Sequence, residues 1–151
     1  MQTVVAKGIT HGVYVITVNA GGKINGMTAS WVSQVSFNPL MLMVSIAPGR
    51  YSNELIKESG YFAINVLSAK QDGEARLFGF RSGRDVDKFK NIAHFKAPNG
   101  SPVIESAMAY CECKLAHVFS AGDHELFVGD VVAAKLLKDV NQLLFAWDKF
   151  F

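Results

Sequence analysis

Runs of alternating or continuous apolar residues, rich in Val, Ile and Phe and each closed by Gly, Pro, Asn or Ser, recur along the whole chain. Period-two patterning of this kind predicts strands. They fall at Gly12–Asn19, Lys23–Thr28, Leu40–Ala47, Tyr61–Leu67, Ala107–Ser120, Glu125–Lys138 and Gln142–Trp147. Ala20-Gly-Gly22 is the turn that joins the first two, because glycine supplies the positive φ that a tight hairpin demands. Most neighbours in this series are near in sequence, so the pattern predicts a mainly β fold, an antiparallel meander that closes into a barrel.

Two stretches carry helical spacing instead. Ser52-Asn-Glu-Leu-Ile-Lys-Glu58 predicts a short helix with Ser52 at its cap and Glu54 at its positive end. A second helix is expected from near Ser68, with Ala75, Leu77 and Phe78 as its packing face. Gly79 to Asn91 follows neither period and predicts a loop over the barrel. The chain shows no repeat, low-complexity segment or linker, and at 151 residues it fits one domain, 1–151, with one core.

Composition sharpens this picture. Half of the residues are apolar and 19% are charged, more hydrophobe than a small interior needs, which points to an interface or a ligand pocket. A net charge of +2 without a Lys/Arg-rich run offers no stripe for a phosphate backbone, so nucleic acid is not an expected partner. No apolar run approaches the ~20 residues of a membrane span, and Met1–Lys7 has neither the basic start nor the apolar stretch of a secretory signal. The two cysteines, Cys111 and Cys113, are too close for a disulfide framework, and a cytoplasmic location is expected.

The polar residues of one segment stand out. Asn25-Gly-Met-Thr-Ala-Ser-Trp-Val-Ser-Gln-Val-Ser-Phe-Asn-Pro39 and the following Leu40–Ala47 set Thr28, Ser30, Ser33, Ser36 and Ser45 among apolar neighbours. A hydroxyl buried without a partner costs ~1–3 kcal/mol, so these groups either back-bond to main chain in a strand-to-turn segment or face a polar ligand.

Asn25–Ala47, taken with Gly12-Val-Tyr-Val-Ile-Thr17, Ser52-Asn-Glu-Leu55, Phe62-Ala-Ile-Asn-Val-Leu67 and Gly122-Asp-His124, resembles the flavin reductase-like FMN-binding family. Ala29–Phe37, Asn99-Gly-Ser-Pro102 and Ala107–Cys113 are similar to flavin domains associated with rubredoxin-type and flavodiiron proteins. The resemblance implies an FMN-binding split β-barrel of six strands with a few short helices, a homodimer with the flavin near the subunit interface. It also implies hydride transfer from NADH or NADPH to flavin, with electrons passed on to free flavin, a ferric chelate or a redox protein acceptor. By the same resemblance, Met27, Thr28, Ala29 and Ser30 face the polar edge of the isoalloxazine. Ser45, Ile46 and Ala47 run beside its pyrimidine edge, and Arg50 and Ser52 form a phosphate cup at a helix start. Trp31 either stacks on the flavin or packs in core or interface. Lys88 and Phe89 match a loop position from which a basic residue approaches the ligand, or else form a solvated lysine beside a buried anchor. His124 either positions the nicotinamide or pairs with Asp123 to fix a turn. His11 and His94 carry no pattern and are expected on the surface.

Other chemistries fit less well. On an extended strand Cys111, Cys113 and His117 share a face, but Cys113 and His117 lie about 13 Å apart, too far for one metal ion. There is no Gly-x-Gly-x-x-Gly turn for a Rossmann site and no Gly-x-Ser-x-Gly elbow for a serine hydrolase. The competing reading is a non-enzymatic FMN electron-transfer protein that exchanges electrons only with protein partners, since both uses need the same cradle.

Overall fold

The strand β1 (Tyr14–Ala20) carries an almost unbroken apolar run because it is buried on both faces. Ile16, Val18 and Ala20 point into one core with Val44, Ile46, Leu55, Phe62, Ile64 and Phe127. Val15 points the other way, into a second core with Leu67, Ala75, Phe78, Phe89 and Ile104. The computed structural model describes all 151 residues, Met1 to Phe151. The second strand, β2 (Lys23–Ala29), returns from β1 through Gly21 and Gly22, whose φ angles of 59° and 94° make the two-residue turn. β3 (Val32–Phe37) and β4 (Leu40–Ile46) form the next hairpin. The remaining large strands are β5 (Tyr61–Val66), β8 (Ala109–Ala121) and β9 (His124–Leu136), and β6 (His94–Lys96) with β7 (Pro102–Ile104) makes a separate small hairpin.

All pairings are antiparallel, and the main sheet runs β2-β1-β5-β8-β9-β4-β3. Its two edges, β2 and β3, are consecutive in the chain and joined only through Ser30 and Trp31, so the curled sheet is split along this seam rather than closed by hydrogen bonds. The family resemblance implies six strands; the seventh is β3. It escapes a periodicity reading because it is an edge strand, exposed or half-exposed throughout, and a register shift between Gln34 and Ser36 breaks its alternation.

Four helices decorate the sheet: α1 (Gln2–Gly8), α2 (Tyr51–Ser59), α3 (Asp72–Phe80) and α4 (Trp147–Phe150). α2 starts one residue before Ser52, and the Ser52 hydroxyl, instead of capping, accepts a 2.9 Å bond from Asn25 Nδ2. It ends at Gly60 in the left-handed region, φ 75°, whose N–H donates to Ile56 O. α3 begins at Asp72 rather than near Ser68, because Gln71 Oε1 accepts from Ser68 N and holds the preceding turn outside the helix. Ala75 and Phe78 are its buried face, with Leu77 half-buried. The helix runs to Phe80, two residues into the expected loop.

The predicted strand at Gln142–Trp147 does not form. Leu143 bridges the ends of two strands, accepting from Val13 N at 2.9 Å and donating to Leu67 O at 2.8 Å, and the chain then turns into α4. Its aromatics pack on one another instead, Phe145 stacking on Phe150 with centroids 5.6 Å apart. In β8, register shifts at Glu112/Cys113 and Leu115/His117 break the simple alternation, so Glu112 and Cys113 are both buried. No helix is long and apolar enough to cross a membrane.

Candidate functional site

The seam between β2 and β3 opens into a cleft of about 1090 Å³. Met27, Thr28, Ala29, Ser30 and Trp31 form one side, and Ser45, Ala47 and Arg50 continue it. β2 is an edge strand, so the outward row of its main-chain donors and acceptors has no strand partner. Ser45 N donates to Trp31 O at 3.0 Å, tying the crossing segment to β4. Thr28 Oγ1 donates to Ala75 O at 2.7 Å, which fixes β2 to α3 at this point. His124, at the start of β9, closes the side above Trp31: the two rings lie 4.9 Å apart, tilted by 53°. Its Nδ1 is 2.7 Å from Asp123 Oδ1, a bond that holds the Asp123 carboxyl below its ordinary range. The far wall is aromatic, with Phe80, Phe145, Trp147, Phe150 and Phe151, and α1 lines the mouth with Lys7. No carboxylate side chain lines the cleft, whereas Lys7 and Arg50 do.

Past Met27 and Arg50 the cleft adjoins a smaller, polar cavity of about 380 Å³ between the start of α2 and the 81–88 loop. Its lining includes Asn25, Arg50, Ser52, Arg81, Arg84 and Lys88, against a single acid, Asp85. Lys88 is the unusual member. It is 5% exposed and has no carboxylate partner; its Nζ donates only to the carbonyls of Arg81, at 3.0 Å, and Phe78, at 3.3 Å. Burial, and secondarily the Arg50 guanidinium, push its ammonium down to about 8. A buried cation met by two carbonyls and a second cation is short of negative charge, and a dianion would supply it.

The structure therefore brings Met27, Thr28, Ala29, Ser30, Trp31, Ser45, Ala47, Arg50 and His124 to one cleft and Ser52 and Lys88 to the adjoining cavity, with Met27 and Arg50 on both. Two residues lie apart. Ile46 alternates into the first core behind the cleft, and Phe89 packs on Phe78, 5.1 Å between centroids, as the anchor beside Lys88. Trp31 is 48% exposed and so belongs to no core. His124 does pair with Asp123, and it faces the cleft as well. His11, expected on the surface, lines the cleft, since Phe145 N donates to its carbonyl and draws that segment in. Arg81 and Arg84 were legible only as charges in a glycine-rich loop, while the aromatic wall lay concealed in a segment with the apolar content of a strand.

A family model described as Flavin reductase like domain matches residues 6–151. The chain is 32% identical over 149 residues to the high molecular weight rubredoxin of Moorella thermoacetica, covering 97% of this chain and 65% of that protein, just under two-thirds of its length. It is 31% identical over 140 residues to a ferric-chelate reductase (NAD(P)H) of Archaeoglobus fulgidus, covering 91% of this chain and 83% of the relative. The structure of the Streptomyces globisporus NADH:FAD oxidoreductase superposes with a TM-score of 0.86 at 29% identity, over 91% of this chain and 82% of that one. With a split antiparallel sheet, a cleft at its seam and a match that runs from residue 6 to residue 151, the chain belongs to the flavin reductase like domain family.

Proposed function

We propose that this protein binds FMN in the seam cleft and oxidises a reduced nicotinamide, passing the electrons to free flavin, a ferric chelate or a redox protein. The observation that carries the reading is Lys88: a buried ammonium without a counter-anion, with Arg50 beside the same cavity, at the end of an aromatic-walled cleft that no acidic side chain lines. The FMN phosphate fits that charge deficit. Arg50 and Lys88 would hold it, Ser52 would add a hydroxyl, and the first turn of α2 would add amides. The free edge of β2 from Met27 to Ser30, with Ser45 and Ala47 opposite, would take the polar rim of the ring.

Bound FMN supplies a centre that accepts a hydride and releases electrons singly or in pairs. What the protein contributes is placement, because this chemistry needs the donor carbon held against the ring and no general acid or base. At about 1090 Å³ the cleft lies just above the ~300–1,000 Å³ usual for one small ligand, which favours a reductase with room for a nicotinamide over a carrier that needs only an exposed ring edge. His124, with Nδ1 engaged by Asp123, presents its other nitrogen for the carboxamide, and Trp31 covers the same side.

The reading includes a homodimer, supported by exposed apolar residues on β3 and at the start of β4, Val35, Phe37 and Leu40, and on β8 and β9, Phe119 and Val132. It also includes a cytoplasmic location. The test is the absorbance of FMN-saturated protein without oxygen, before and after NADH and then NADPH. Rapid bleaching supports the reductase and names its donor. Bound flavin that neither nucleotide bleaches supports the protein-to-protein carrier instead.

A further inference from the structure

Arg84 lies across the outer side of the cationic cavity. Its Nη1 donates to Gly49 O at 3.2 Å, its Nη2 is ion-paired with Glu54, and its guanidinium lies over the Tyr51 ring, 4.9 Å from the centroid. Gly49, Tyr51 and Glu54 flank Arg50, so one side chain bridges the 81–88 loop to the start of α2 directly over the cavity. The loop end of this bridge is fixed. Arg84 N donates to Ser82 Oγ, and Asp85 N and Val86 N both donate to Ser82 O at 3.1 Å. Gly83 is pressed against β2: a Cβ there would sit 2.1 Å from Asn25 Oδ1, and Asn25 is itself committed to Ser52.

The cavity thus has an inner cation, the buried Lys88, and an outer bar, the half-exposed Arg84. The bar's fork is already spent on Gly49, Glu54 and Tyr51, so it closes the cavity more than it binds an anion. A terminal phosphate can end between them. A phosphate that continues as a diester must carry its next oxygen outward through the space that Arg84 spans.

We propose that Arg84 determines which flavin nucleotide this site accepts, closing over the terminal phosphate of FMN and excluding the second nucleotide of FAD. The inference rests on reading the cavity as the phosphate site, and the two fail in different ways. The experiment measures dissociation constants of riboflavin, FMN and FAD by flavin fluorescence quenching for flavin-free wild type, Arg84→Ala and Glu54→Gln. Both side chains are at least partly exposed, and Glu54→Gln loosens the bar without touching the loop. Wild type should prefer FMN to FAD by about tenfold or more, and each variant should narrow that ratio to within about threefold, chiefly by tighter FAD binding. Wild type that binds FAD as well as FMN, or variants that weaken both nucleotides in equal proportion, overturn the proposal. Equal affinity of wild type for FMN and riboflavin instead overturns the phosphate site itself.

Discussion

Lys88→Met removes the charge that the cavity holds at most expense to the fold. In the unfolded chain this lysine keeps its proton up to 10.5, whereas in the folded protein it loses it at about 8. Between those values the unfolded state binds more protons, so stability must rise with pH. Each tenfold difference in proton affinity is worth about 1.4 kcal/mol, which makes the rise relative to pH 7 on the order of 1 kcal/mol by pH 9 and about 2 kcal/mol by pH 10. Tyr14, Cys111 and Cys113 act in the opposite sense, because burial raises all three, Cys113 to about 12, and stability falls as the unfolded thiols and phenol ionise first. The quantity to measure is therefore the difference between wild type and Lys88→Met, in which those groups cancel. Urea unfolding of the flavin-free proteins at pH 7, 8, 9 and 10 should show wild type gaining on the variant by these amounts. A bound phosphate restores the Lys88 proton, so FMN affinity of wild type should fall by about fivefold from pH 8 to 9, while that of the variant stays level. Unfolding curves that remain parallel with pH, or equal pH dependence of FMN binding in both proteins, would refute the assignment of a charge-starved lysine.

Arg50→Ala should weaken FMN by about 1.5–3 kcal/mol while leaving riboflavin nearly unchanged, read by fluorescence titration; equal losses would remove Arg50 from the phosphate site. His124→Ala should leave FMN affinity within about twofold and slow anaerobic reduction by nicotinamide about tenfold or more in stopped flow. Unaltered reduction would confine His124 to its bond with Asp123. Asn65→Ala should cost about 2–4 kcal/mol in urea unfolding, because Asn65 donates to Val15 O and Thr17 Oγ1 and accepts from Ile104 N, all buried. A loss below about 1 kcal/mol, on the order of one exposed bond, would show that the network repairs itself.

The large strands were legible because each buries at least one stretch of residues, in β1 and β5 almost the whole strand, and burial writes period-two or continuous apolar runs into sequence. β3 was not, since an edge strand with a register shift leaves no such record. The segment after Gln142 misled for the opposite reason: Leu143, Leu144 and Phe145 are apolar enough for a strand, yet they plug the end of the barrel through single bridges. At the cleft, the β2 and β4 residues could be named because Asn25–Ala47, the segment that carries the family resemblance, supplies both strands. Lys88 could be named but not its burial, which depends on Phe89 anchoring the loop against Phe78. Arg84 could not be singled out, because its contacts with Gly49, Tyr51 and Glu54 are made across 30 or more residues of chain.

The free edge of β2 has a bearing on the life of the protein before it meets its ligand. Unpaired strand edges are templates on which another chain can add, and aggregation starts from them. If flavin occupies the seam, it covers that edge, and an empty subunit leaves it open to any passing strand. Cofactor supply would then govern solubility as well as activity, and flavin-starved subunits would be lost to self-association before they were lost to unfolding.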